Sequence, residues 1–92
     1  MRMTLTRLTP DDGAGIVGAM IMTHFRFDEE SKPERNHELE KPTVGWHIQL
    51  DSLTHWYYTS LIEEIISEES TEEYDEVIFR TQNSKYQWRV FK

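Results

Sequence analysis

The clearest pattern in this chain is a strict alternation at residues 44–50, "VGWHIQL". Val44, Trp46, Ile48 and Leu50 alternate with Gly45, His47 and Gln49, the period of a strand with one face buried. A second pattern closes the chain. Residues 76–91 read as a β-hairpin around an Asn83-Ser84 turn, pairing Val77 with Val90, Phe79 with Trp88 and Thr81 with Tyr86 on one apolar face. The opposite face collects Ile78, Arg80, Gln82, Lys85, Gln87 and Arg89. Residues 2–8 form a further expected strand.

Two segments read as helices. Asp51 or Ser52 caps a helix over 52–69, with Leu53, Trp56, Tyr57, Leu61 and Ile65 on one stripe that Ile62 widens. Ser70 and Glu73 have capping-box spacing for one further turn. Residues 10–25 admit two patterns. In the helical one Thr9 is the N-cap, Pro10 the first residue and Asp12 the N3 acid, and Ile16, Val17, Met20, Ile21 and His24 share a face. Gly13 and Gly18 weaken that helix by roughly 1 kcal/mol each. In the other pattern "PDDG" is a hairpin turn followed by a strand, which Ile, Val and Thr favour. Taking both helices, the expected architecture is a single α+β domain over 1–92, a small antiparallel sheet packed on one or two helices. Residues 26–43, with both charge signs and two prolines, read as a long charged loop.

Composition narrows the function classes. Ninety-two residues with 37% hydrophobic and 12% aromatic content support one modest core, and a homodimer is a ready way to enlarge it. The absence of cysteine excludes disulfides and thiolate metal sites. No apolar stretch approaches the ~20 residues of a membrane-spanning helix, and the first residues carry no apolar signal region. The expected location is therefore the cytoplasm. A net charge of −7 disfavours direct binding to nucleic acids or anionic membranes and favours basic partners.

That charge is unevenly placed. "EEIISEESTEEYDE", residues 63–76, holds eight carboxylates: Glu63, Glu64, Glu68, Glu69, Glu72, Glu73, Asp75 and Glu76. From Pro42 to Phe79 there is no Lys or Arg. At the C-terminal half of a helix each acid opposes the macrodipole at a cost of a few tenths of a kcal/mol. Helical carboxylates four residues apart lie ~6 Å from one another, loosely the spacing of charges along a nucleic acid strand. These eight residues are the candidate partner-binding surface, and the expected partner is a protein with a basic groove, such as a nucleic-acid-binding enzyme. Basic residues Arg80, Lys85, Arg89 and Lys92 follow closely and are the available counterions.

In size, composition and lack of a catalytic motif the chain resembles the small acidic inhibitors that phages make against restriction, CRISPR or repair enzymes. The likeness is to a class, with no motif matched residue by residue. It implies a non-enzymatic interaction module with no cofactor. Two alternatives stand beside it: a regulatory or structural subunit that binds through an apolar surface, and a weak RNA-binding module using Arg80, Lys85 and Arg89 on the outer hairpin face. His24, His37, His47 and His55 lack the spacing of a zinc site. No nucleophile, phosphate-cradling or dinucleotide signature is present, so no catalytic residue is assigned. "HWYY" at 55–58 suggests base stacking, but Trp56 and Tyr57 fit the helical stripe better as core.

Overall fold

The computed structural model describes residues 1–92 and contains nine strands and no helix. In chain order these are β1 (Arg2–Thr9), β2 (Gly15–Ala19), β3 (Ile21–Phe27), β4 (Pro33–Asn36), β5 (His47–Asp51), β6 (Trp56–Tyr58), β7 (Ile62–Ser70), β8 (Tyr74–Thr81) and β9 (Lys85–Phe91). All pairings are antiparallel. One sheet runs β2-β1-β9-β8-β7, the other β4-β3-β5-β6.

Two corners join the sheets. Only Met20 separates β2 from β3, and its N–H donates to the Asp51 carbonyl at 2.9 Å. Near the start of β7, Ile62 N–H donates to the Trp46 carbonyl and Gly45 N–H to the Ile62 carbonyl, both at 2.9 Å. β2–β3 and β6–β7 thus each act as one bent strand shared between the sheets, the corner device of orthogonal β packing. With β4 set aside as an extra strand on the edge of β3, neighbours in sequence are neighbours in space. The β9–β1 pairing completes a barrel-like meander.

The core fills the space between the sheets. Leu5, Ile48, Leu50, Ile62, Val77, Phe79 and Trp88 are almost wholly buried there. Burying each such side chain contributes about 1.5–3 kcal/mol.

The α+β expectation is corrected to all-β, and both expected helices, 10–25 and 52–69, are strands and turns. In the second case β-bulges explain the misreading. The register of β7 on β8 shifts between Ile62 and Glu64 and again between Ile65 and Ser67, two residues opposing one each time. The extra residues stretch the inward spacing from two to three, so Ile62 and Ile65 mimic helical periodicity. In the first case the hairpin alternative holds. Asp12 is a turn acid rather than a helix-start acid: its Oδ1 accepts from Ala14 N–H at 3.1 Å, and its carboxylate pairs with Arg7. β4 falls within the charged segment 26–43 and pairs with β3.

The C-terminal hairpin forms with its expected inward face, but in a different register. Val77 lies opposite Trp88 and Phe79 opposite Tyr86. The connection holds three residues, 82–84, closed by Thr81 N–H to the Ser84 carbonyl at 2.8 Å, rather than a two-residue turn. Each partner moves by two positions, and an even slip keeps every side chain on its face.

Candidate functional site

The eight acids lie on β7, on β8 and on the turn between them. β7 is an edge strand of the five-stranded sheet. Four acids are answered by the basic residues that follow them. Arg80 reaches Glu63 at 3.1 Å and Glu64 at 3.3 Å, Arg89 holds the nearly buried Glu76 at 3.1 Å, and Lys92 meets Asp75 at 3.4 Å. The Gln87 side-chain amide also donates to Glu76, and Arg89 lies 4.3 Å over the ring of Tyr74. Lys92 and Ser70 hold the Asp75 carboxyl below the usual carboxylate range, the Ser70 hydrogen bond being the larger cause. Glu68, Glu69, Glu72 and Glu73 have no cationic partner and cluster at the far end of the β7–β8 hairpin. Of the alternative basic surface, Arg80 and Arg89 are engaged with these carboxylates and Lys85 alone is free.

The histidines remain scattered, and no three His, Asp or Glu side chains converge as a metal cluster. His24 is fully buried edge-on to Trp46, and neither ring nitrogen has a hydrogen-bond partner. Burial pushes its pKa down, against a smaller opposing contribution from the Lys41 backbone.

A different surface stands out on the outer face of the second sheet. There Phe25, Phe27, His47, Gln49, Trp56 and Tyr58 line a cleft of about 460 Å³. The pleat puts them together: β3 contributes positions 25 and 27, β5 positions 47 and 49, and β6 positions 56 and 58, each pair two residues apart on one face. Cross-strand register completes the arrangement, with His47 opposite Phe25 and Tyr58 opposite Gln49. The rings organise into two walls. Phe25 stacks on His47 at 4.9 Å with Phe27 edge-on to the imidazole at 6.3 Å, and Trp56 stacks on Tyr58 at 5.4 Å. The central strand supplies the polar groups between them. His47 Nδ1–H donates to the Thr59 carbonyl at 3.0 Å, which fixes the ring against β6 and turns Nε2 away from that bond. Gln49 Nε2 donates to Asp51 at 3.1 Å.

These rings are not core. Trp56 is 62% exposed, Phe27 59% and Tyr58 56%. The sequence reading placed Trp56 in a buried helical stripe. The alternation of exposed Trp56, half-buried Tyr57 and exposed Tyr58 is the strand signal that locates the cleft. Three residues are too few to establish that period by themselves.

Comparison of the chain with family models, curated proteins and solved structures returns no match. No helix is long and apolar enough to cross a membrane.

Proposed function

We propose that this chain is a non-catalytic protein-interaction module that binds an extended, basic, proline-containing segment in the aromatic cleft of its second sheet. One observation carries the proposal: three large aromatic side chains, each more than half exposed, share a cleft whose burial the fold does not need. Roughly 60% of a ~200 Å² ring, three times over, leaves ~350 Å² of apolar surface in water, worth ~9 kcal/mol if covered. That is comparable with the cost of association, so the cleft supports modest affinity.

The partner class follows from shape and charge. Exposed aromatic pairs suit pyrrolidine rings of a preorganised polyproline segment and the cationic heads of Arg and Lys. A net charge of −7 disfavours a phosphate backbone in the same cleft and attracts a basic chain.

The test is selection of a displayed random-peptide library on the wild type, with Trp56→Ala/Tyr58→Ala as the counter-target. Both residues are largely exposed, so the variant keeps its fold to within about 0.5 kcal/mol. Enriched peptides carrying Pro with Arg or Lys, bound at least about tenfold more weakly by the variant, support the reading. Equal binding to both proteins, or enrichment only of peptides that carry neither Pro nor a basic residue, overturns it.

A second reading keeps the acidic hairpin as the contact surface, masking a basic groove on a nucleic-acid enzyme. Glu68, Glu69, Glu72 and Glu73, the uncompensated carboxylates, favour it. Reversal of Glu68, Glu72 and Glu73 to Lys abolishes capture of the target if this surface makes the contact.

A further inference from the structure

All four methionines of the chain, Met1, Met3, Met20 and Met22, border one cavity of about 310 Å³ at an end of the barrel. They come as two Met-x-Met pairs, "MRM" at the start of β1 and "MIM" across the β2–β3 corner. Arg2 and Ile21 separate the members of each pair, and both members of each pair border the cavity. The pairing of Met3 with Ala19 sets the second pair beside the first.

Core filling accounts for Met3, which is 4% exposed, but not for the whole set. Met1 is 83% and Met20 53% exposed, so an apolar side chain there gains little burial. A thioether has a second property, as a soft, neutral ligand that selects Cu(I) over harder divalent ions. The rest of the lining is mixed: the indole of Trp88 lies in the wall, and the carboxylates of Glu40 and Asp75 stand beside Lys41, with Asp75 also paired to Lys92 at 3.4 Å. Without cysteine, the thioethers are the only sulfur ligands in the chain. The three rotatable bonds of each methionine let sulfurs from both pairs close on one ion.

We infer that this cavity is a binding site for a soft monovalent metal ion of the Cu(I) class, with Met3, Met20 and Met22 as its principal ligands and Met1 as a fourth. The site stands apart from the aromatic cleft and does not depend on it.

Thioethers have no proton to lose, so binding persists in acid, where histidine sites release their ions. The probe is Ag(I), which is redox-inert, titrated in chloride-free buffer at about pH 5, below the ordinary histidine pKa. The methionine ε-methyl resonances report contact, and calorimetry reports affinity. Saturation at one equivalent with shifts confined to the methionine methyls supports the site. In Met20→Leu/Met22→Leu, a near-isosteric change costing less than about 1.5 kcal/mol per position, affinity falls by at least about tenfold, the scale on which even outer-shell metal partners act. Unmoved methyls, unsaturable binding or equal affinity in the folded double variant overturns the inference. So does uptake of an apolar dye with no silver binding, because the methionines are then a hydrophobic lining only.

Discussion

Replacing Gly15 by alanine separates the barrel from a helix over 10–25 by the sign of the effect. Gly15 pairs with Thr6 of β1, and its φ is +142°. A Cβ placed there would lie 2.0 Å from the Leu5 carbonyl oxygen and 3.0 Å from its carbon. Both are backbone atoms in the middle of β1, so no side-chain rotation gives relief. β2 must move by about an ångström, which weakens the neighbouring ladder hydrogen bonds at about 0.5–1.5 kcal/mol each. The unfavourable φ adds about 1–3 kcal/mol. The expected destabilisation is about 3 kcal/mol or more. For a domain of this size that lowers Tm by about 12 °C or more, at 4–8 °C per kcal/mol.

Gly18→Ala is the graded control. Its φ is also positive, at +76°, but nothing lies within 4 Å of an added Cβ, so only the backbone strain of about 1–2 kcal/mol remains. In a helix, either substitution would instead stabilise by up to about 1 kcal/mol. Denaturant and thermal unfolding followed by circular dichroism give the values. A Gly15→Ala protein as stable as the wild type, or no worse than Gly18→Ala, refutes the β1–β2 pairing described above.

Two further predictions concern charge. Burial holds the pKa of His24 below its ordinary value. The unfolded chain therefore binds a proton near pH 6.5 that the native protein refuses, and stability falls as pH drops below that point, with a limiting slope of about 1.4 kcal/mol per unit. Urea unfolding at pH 7 and at mildly acid pH measures this loss, which His24→Leu removes. Glu69 lies directly opposite Glu76 across β7 and β8. Glu69→Gln removes that like-charge pair and raises stability by about 0.2–1 kcal/mol in the same assay.

The strands with clean alternation were legible in the sequence, because one buried face imposes a period of two on β5 and on the C-terminal hairpin, although β5 begins at His47 and Val44, expected on the buried face, lies exposed in the preceding turn. The misread segments are those where the backbone departs from that period. Two bulges in β7 convert it to three, and Gly13 and Gly18 look like helix weakeners until their positive φ values are seen. The acidic residues were found from charge alone. Their division into four neutralised and four free carboxylates depends on which strand lies beside β7, which no local pattern states. The aromatic cleft was hidden for a similar reason: its six residues come from three strands and meet only through register.

The acidic hairpin and the aromatic cleft differ in how far the fold alone explains them. Charged side chains on an edge strand keep its free hydrogen-bonding groups from pairing with another chain. Glu68 and Glu69 on β7 serve that purpose without any partner. Nothing comparable accounts for exposed Trp56 and Tyr58, since a polar residue would satisfy the same positions of β6. Net charge then governs encounter, and the cleft governs residence. For a peptide selected on the cleft, reversing Glu68, Glu72 and Glu73 to Lys is expected to lower kon and flatten its salt dependence, with koff little changed. Trp56→Ala is expected to raise koff by about 30-fold or more, the equivalent of a 2 kcal/mol hot spot, with kon held. Stopped-flow association at two ionic strengths measures both. If the charge reversals act mainly on koff and Trp56→Ala has no effect, the acidic hairpin is the contact surface and the cleft is not.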